Sequence, residues 1–427
     1  MIKLFRNVSC CICLALAGMA ANAQSGQFTL QECYAFAREN YPLIRKLNLI
    51  SKSSAYSLEN ASKLYLPQLN VTAQASYQSQ TISFPDIFQG APGISLPNIS
   101  KDQYKIQAEI TQAIYDGGNV NNQIASVKAS EAIQQQNIEV ALYAVNERIN
   151  QIYFSVLLMD EQLKQNDIRK SNLQNSIDKI AGALRYGTAF RSNLDELKAE
   201  VINADMSETE FRSNRSAYLQ MLGALIGKTT TDSTKLMMPS SGIVNTDINR
   251  PELKLYGLQK ELYKVEEKKL RTEYTPKLNA FFQGAYGRPT LNIINNQFGP
   301  WYIVGARMNW NLGSLYTLKN NRQNLEISRQ SIDIDQETFL LNTNLTIRQE
   351  QGDISKYQTL IRQDQKVIEL RASVKKASEA QLENGVITTH DFINQLNAEN
   401  LARQTLILHS IQLLQAQYKL SHTTGNP

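Results

Sequence analysis

The positions of the prolines constrain the fold of this chain more than any other feature. The chain has eleven prolines, at 42, 67, 85, 92, 97, 239, 251, 276, 289, 300 and 427, and therefore two long stretches without proline, 98–238 and 301–426. Because a proline inside a helix costs about 3 kcal/mol, such stretches are where long helices can form. Both stretches are rich in Gln, Glu, Lys, Leu, Ala and Asn. We therefore predict long helices over about 117–184 and 314–383.

The apolar residues of these stretches recur at steps of three and four, as in Ile138, Leu142, Val145, Ile149 and Ile152. This narrow apolar stripe is typical of a coiled-coil seam rather than of a helix in a globular core. Gly187 and Gly385 follow the two long segments, and further helical segments are predicted over 192–226 and 389–421. Because glycine favours the left-handed conformation that caps helices, we predict two tall helical hairpins.

Four other segments alternate between apolar and polar residues, which predicts strands at about 68–83, 102–115, 277–288 and 301–312. Each strand has one apolar and one polar face, the pattern of a membrane barrel with a wet interior. The alternative is a soluble sheet of two hairpins. In the barrel interpretation, the lumen-facing residues are Lys105, Glu109, Arg307, Asn309 and Asn311.

Four strands cannot close a barrel, and lipid does not tolerate an open sheet edge. The membrane interpretation therefore requires several copies of the chain. Two copies give eight strands, whose interior is filled by side chains, whereas three copies give twelve strands and can leave an aqueous pore.

The two halves of the chain carry matching motifs in the same order. Asn40-Tyr41-Pro42 recurs as Asn249-Arg250-Pro251, and the Y-x-P-x-L-N motif at 65–70 recurs at 274–279. Ordered matches of this kind indicate a duplication. We predict a first repeat over 24–227, a linker over 228–249 and a second repeat over 250–427.

The first residues predict export. Lys3 and Arg6 precede an apolar stretch, and Ala21-Asn22-Ala23 has the form of a cleavage site, so residues 1–23 are predicted to be a signal peptide. A lipoprotein signal that uses Cys10 is the alternative. In the mature chain Cys33 would be the single cysteine, so no intramolecular disulfide is expected, and its thiol is interpreted as packing.

Composition and motifs exclude several classes of function. Removal of Lys3 and Arg6 leaves 42 of the 44 basic residues against 39 acidic ones, too small an excess for a nucleic-acid-binding stripe. No run of 18 apolar residues follows the signal, so no transmembrane helix is predicted. The motifs of metalloproteases, serine hydrolases and phosphate-binding loops are absent. We therefore predict no catalytic, cofactor or metal site.

Several motifs together resemble the TolC-like outer membrane efflux proteins over essentially the whole mature chain. They are the opening Phe28-Thr29-Leu30-Gln31-Glu32, the two Y-x-P-x-L-N motifs, the junction Ile114-Tyr115-Asp116-Gly117-Gly118 and the glycines Gly187 and Gly385. The resemblance implies a mainly helical homotrimer, with a twelve-stranded barrel in the outer membrane of a Gram-negative bacterium and a helical barrel in the periplasm.

The implied function is that of an exit duct for multidrug efflux or type I secretion. It would pass small molecules or proteins onward from a periplasmic adaptor and an inner-membrane pump of the RND or ABC type. Because these proteins lie in lipid, contact with outer membrane lipid is also implied. A periplasmic adaptor and a coiled-coil scaffold are the alternative functions.

The resemblance also implies a periplasmic gate, formed by Asp391, Asn394 and Ile387 and, in the first repeat, by Asn193. Asp391 matches an acidic ring position of the family, whereas Ile387 replaces a frequent arginine and Asn394 a second acid. Part of the gate network is therefore missing, which argues against a tightly latched, strongly cation-selective entrance. Asp391 equally fits a helix-capping carboxylate paired with Thr388 or Thr389.

The same resemblance places contacts with the adaptor at the hairpin tips. The residues concerned are Gly187, Thr188, Ser192, Gly385 and Thr388. All five are also ordinary residues of helix turns, so a purely structural role is the alternative.

Overall fold

Helices account for most of the structure, as the two proline-free stretches predict. The computed structural model describes residues 27–82, 99–240, 245–294 and 296–426, and the predicted signal peptide lies outside them. In chain order the elements are β1 (Gln27–Phe28), α1 (Leu30–Asn40), α2 (Arg45–Lys63), β2 (Gln68–Tyr77), β3 (Asp102–Tyr115), α3 (Asn119–Arg185), α4 (Arg191–Ile226), β4 (Lys235–Leu236), α5 (Pro251–Glu273), β5 (Lys277–Arg288), β6 (Gly299–Asn309), α6 (Leu315–Glu383) and α7 (Thr389–Thr424).

The two longest helices follow directly from the absence of proline. Helix α3 has 67 residues and α6 has 69, so each is about 100 Å long at a rise of about 1.5 Å per residue. The ends of α3, α4, α6 and α7 lie within three residues of their predicted places.

Two of the predicted strand ends are wrong. Strand β2 ends at Tyr77, short of the predicted 83, because its partner β3 begins at Asp102, directly opposite Tyr77. Strand β6 ends at Asn309, short of the predicted 312, because the chain leaves the sheet there: the Trp310 indole donates a hydrogen bond to the Tyr274 carbonyl at 2.9 Å. Asn311 therefore lies beyond the sheet, at the start of a short 3₁₀ turn.

The chain divides into two compact units, and each contains segments from both halves of the sequence. One unit comprises the chain up to Lys46, residues 138–251 and the chain from Thr338 onward. The other comprises residues 47–137 and 252–337. These units are spatial, whereas the predicted repeats follow one another in sequence, so the duplication stays a prediction.

The first unit has a core where helices α1, α3 and α4 meet. Thr29 starts α1 with a capping box, in which Glu32 accepts hydrogen bonds from the backbone and hydroxyl of Thr29. Cys33, on the inner face of α1, is fully buried in this core, in agreement with a packing role. Tyr153 is also fully buried, and its hydroxyl lies 2.8 Å from the Phe28 carbonyl and 2.6 Å from that of Met237. It therefore ties the short β1–β4 sheet to α3.

The second unit contains the sheet β2–β3–β5–β6 and the helices that flank it in sequence. The turn from β3 into α3 is made by the predicted Asp-Gly-Gly junction. The Asp116 carboxylate accepts hydrogen bonds from the Gly118 and Val120 amides at 2.8 and 2.7 Å, which caps the helix. Gly117 has φ of +70°, and a Cβ there would lie 2.1 Å from the Thr275 hydroxyl, so this position requires glycine.

Candidate functional site

The sheet of the second unit is antiparallel throughout, in the order β2–β3–β5–β6. Residues that face each other across the ladder point to the same side of the sheet. One row of paired residues therefore crosses all four strands on the same side of the sheet. It consists of Asn70, Glu109, Gln283 and Ile303. The outer edges belong to β2 and β6.

One face of this sheet is apolar and exposed on all four strands. Its exposed members are Leu69, Val71 and Tyr77 on β2, Tyr104, Ile106 and Ile110 on β3, Phe282 and Tyr286 on β5, and Tyr302, Val304 and Met308 on β6. An exposed apolar surface of this extent marks a site of contact with a partner or with lipid. The two charged residues on this face, Asp102 and Arg288, lie at the strand ends and pair with each other.

The opposite face carries polar and charged side chains together with the apolar residues Phe281, Trp301 and Ile303. It carries Lys105, Glu109 and Arg307, and Asn309 lies on the same side, opposite Lys277. Asn311, the fifth residue predicted to face the lumen, lies beyond the end of β6 and so outside this face.

A cluster of polar groups joins three strands on this face. The Gln283 amide donates a hydrogen bond to Glu109 at 2.8 Å, and the Arg307 guanidinium lies 3.6 Å from the same carboxylate. Arg307 also lies over the ring of Phe281, 4.7 Å from its centroid. Its side chain nevertheless remains 49% exposed, so much of its charge faces solvent.

The two hairpin tips of the first unit have the same backbone geometry. At the end of α3, the amides of Gly187 and Thr188 donate to the carbonyls of Leu184 and Ala183. At the end of α6, the amides of Gly385 and Val386 make the corresponding bonds to Leu382 and Gln381. Both are Schellman caps, with the glycines at φ of +72° and +69°.

The helices that follow these tips begin differently. Thr388 caps α7 in a capping box: its hydroxyl accepts from the Asp391 amide at 3.1 Å, and the Asp391 carboxylate accepts from the Thr388 hydroxyl at 2.6 Å and from its amide at 3.1 Å. These bonds lower the pKa of Asp391. Helix α4 has Phe190 at the corresponding position and no side-chain cap. The predicted capping role of Asp391 is thus present, with Thr388 rather than Thr389 as its partner.

The other predicted gate residues occupy different environments. Ile387 is partly buried and packs against a core that includes Leu173, Leu197 and Phe392. The side chain of Asn394 is exposed, and that of Asn193 is partly exposed. Ile387 therefore joins the two hairpins by apolar packing, which an arginine at this position would not do.

Two ion pairs and a histidine–carboxylate contact that the sequence did not predict also connect the helices near the tips. Lys179 on α3 lies 2.6 Å from Glu379 and 2.9 Å from Glu383, both on α6. His390 on α7 lies 3.2 Å from Glu196 on α4. Because the partners are about 200 residues apart in sequence, no local pattern could have revealed them.

The tips also expose apolar side chains beside the predicted adaptor-contact residues. Tyr186 is 88% exposed, Phe190 77% and Val386 70%. Thr188 and Thr388 line a groove of about 660 Å³ between the hairpins, with Phe190 and Ile387 on its wall. Gly385 also lines this groove, whereas Gly187 and Ser192 are exposed but do not line it.

Other kinds of site are not found in the part of the chain that the structure describes. No group of three or more His, Cys, Asp or Glu side chains there is arranged to hold a metal ion. Among the helices described, none combines the length and apolar character needed to cross a membrane.

Comparison with known families agrees with these features. The model of the outer membrane efflux protein family matches residues 34–228, which include β2, β3 and the first hairpin of long helices. Over residues 34–228, just under half of the chain, the sequence is similar to the outer membrane efflux protein family. The family that the sequence motifs predicted is therefore confirmed. Members of this family are outer membrane efflux proteins and not enzymes, as predicted for this chain.

Solved structures of several outer membrane proteins and transmembrane channels have the same fold. CusC superposes with a TM-score of 0.65 at 13% identity, over 93% of this chain and 92% of CusC. VceC from Vibrio cholerae gives 0.63 at 11% identity, over 93% and 96%. The MtrE channel of Neisseria gonorrhoeae gives 0.61 at 13% identity, over 93% and 88%. No curated protein matches the chain in sequence. At these identities the structural likeness establishes the fold, including the second hairpin that lies outside the family match.

Proposed function

We propose that this chain is the subunit of a trimeric outer membrane channel that serves as the exit duct of an efflux or type I secretion system. The observation that carries the proposal is the two-faced sheet. Its apolar face is exposed on every strand, and its other face carries polar and charged side chains. A sheet with these faces suits a barrel wall between lipid and water.

The sheet edges support a trimer. Among the described residues, strands β2 and β6 each have one edge without a partner strand, and lipid provides no hydrogen-bond partners for such an edge. Pairing of β6 with β2 of the next copy removes both edges, and three copies give twelve strands around a pore. The narrow apolar stripes of α3 and α6 fit the same arrangement, since neighbouring copies would cover them.

The partners proposed for the duct are a periplasmic adaptor and an inner-membrane pump of the RND or ABC type. The exposed Tyr186, Phe190 and Val386 support adaptor docking at the tips, because aromatic and apolar side chains are enriched at protein interfaces. A periplasmic adaptor or scaffold is the alternative function, but neither would need an exposed apolar sheet face.

The first test is location and conductance. We expect the protein to fractionate with the outer membrane, to have the mass of three chains in detergent and to open conducting pores in planar bilayers. Recovery as a soluble periplasmic monomer would contradict the proposal and favour the adaptor or scaffold alternative.

The proposed gate role of Asp391 makes a second prediction. We expect Asp391→Ala to raise the basal conductance, because it removes an acidic group and the two capping bonds that its carboxylate accepts from Thr388 at the start of α7. An aspartate with the ordinary pKa of about 3.9 is already charged at pH 5, and the lowered pKa of Asp391 favours the charged form further, so the difference from wild type should persist at pH 5. Single-channel recordings at pH 7 and pH 5 measure it.

Asp391→Asn provides the matched control, since it removes the charge and keeps an oxygen that can accept the capping bonds from Thr388. An increase in conductance for both variants supports a gate that depends on the acid. Unchanged conductance in both would leave Asp391 with the capping role alone.

A further inference from the structure

We propose that the polar face of the sheet makes the barrel section of the channel prefer anions over cations, with Arg307 and Lys277 as the residues that set this preference. This inference rests on the proposed channel function and deepens it. It concerns the charge that one copy of the sheet presents to the lumen.

The charge on the two faces is unequal. The polar face carries three cationic side chains, Lys105, Lys277 and Arg307, against one carboxylate, Glu109, which leaves a net charge of +2 per copy. The apolar face carries only the neutralising pair of Asp102 and Arg288. Three copies would therefore place a net charge of about +6 on the inside of one barrel.

Strand β2 adds nothing to offset this charge. Its residues on the polar face are Gln68, Asn70, Thr72, Gln74 and Ser76, and all are neutral. The excess positive charge is consequently not cancelled within the sheet.

The cationic side chains on the polar face remain accessible to dissolved ions, even though one of them pairs with Glu109. Glu109 lies 3.6 Å from Arg307, and its hydrogen bond from Gln283 holds it toward β5. Arg307 is still 49% exposed. Neither Lys105 nor Lys277 forms an ion pair with any residue in the described ranges, so their full charge acts on the space in front of the sheet.

The cations are also placed where they would act together. Lys277 and Arg307 are near the helix-proximal ends of β5 and β6, where Arg307 lies opposite Asn279, two residues from Lys277. At about 3.4 Å per residue, the two backbone positions are within about 7 Å along the sheet. Repeated three times, they would form a positive ring at one level of the barrel, and rings of charged side chains are a common source of ion selectivity.

The test is the reversal potential of single channels in a KCl gradient. We expect chloride to permeate better than potassium in the wild type. Arg307→Gln and Lys277→Gln should each lower the chloride-to-potassium permeability ratio by about twofold or more, since a unit charge about 10 Å away shifts an ion's energy by an amount comparable to RT even in water. Glu109→Gln should raise the ratio.

The matched control is Arg212→Gln, which removes the same charge from an exposed position on α4, outside the sheet. It should leave the ratio unchanged. The shifts should also shrink in 1 M salt, because the screening length falls from about 10 Å at 0.1 M to about 3 Å.

Each result decides between distinct conclusions. A cation-preferring wild type, or conducting Arg307→Gln and Lys277→Gln channels with an unchanged ratio, would overturn the anion preference and leave the channel function intact. Absence of any conductance in the wild type would overturn the channel function itself, and this inference with it. Because Asp391 is present in every variant, the acid at the tips cannot account for a difference among them.

Discussion

Val304→Lys is expected to prevent assembly of the protein in the outer membrane, whereas Ile303→Lys is expected to be tolerated. The two residues are adjacent near the middle of β6, but Val304 lies on the exposed apolar face and is 69% exposed, while Ile303 lies on the polar face opposite Gln283. A lysine introduced at either of these neighbouring positions therefore adds the same charge to one face or to the other.

The size of the effect follows from the cost of a cation in lipid. A lysine on the lipid face of a membrane barrel costs about 2–4 kcal/mol at the bilayer midplane. For one copy this is roughly a 30- to 1000-fold change in the ratio of assembled to unassembled protein, and a trimer would contain the substitution three times. A lysine at position 303 would meet water and cost little.

The measurement is the amount of each variant in the outer membrane fraction, relative to the total amount made. Equal amounts of both variants would show that the apolar face does not contact lipid. Loss of Ile303→Lys with retention of Val304→Lys would reverse the assignment of the faces.

The helices could be predicted from the sequence because their signals are local. The long proline-free stretches, the apolar residues at steps of three and four, and the glycines at 187 and 385 all act within a few residues of the chain. Alternation likewise predicts β3 and β5 closely, since each is paired along its whole length. The predicted end of β2 was wrong because β2 stops opposite the first residue of its partner β3. The sequence of β2 does not encode that position.

The candidate site could be predicted only in part, for the same physical reason. The cap of α7 by Thr388 and Asp391 is a local motif, and it was one of the two roles that the sequence predicted for Asp391. The position of Ile387 in an apolar core is set by α3 and α4, and the contact of Lys179 with Glu379 and Glu383 joins helices distant in sequence. Such contacts appear only when the hairpins are packed together.

The second large effect concerns the core of the first unit. Leu222→Ala is expected to lower the free energy of unfolding by about 2–5 kcal/mol, the usual cost of a cavity left by a buried leucine. Leu222 is fully buried on α4 and belongs to the core that joins α1, α3 and α4. Met221→Ala is the matched control, because its neighbouring side chain is 44% exposed and a surface truncation changes stability by about 0.5 kcal/mol or less.

Leu222 is informative because the long helices keep many apolar residues exposed within one copy. On α4, Ile202 is 60% exposed and Met206 66%, so these side chains contribute little to the fold of a single chain. The stability of that fold must then come from local cores. Of the two clusters of buried apolar side chains among the described residues of the first unit, the one that contains Leu222 is the larger. Guanidinium unfolding in detergent, followed by helical circular dichroism, should show a lower midpoint for Leu222→Ala and an unchanged one for Met221→Ala. Equal midpoints for the two variants would mean that contacts between copies, rather than this core, hold the helices in place.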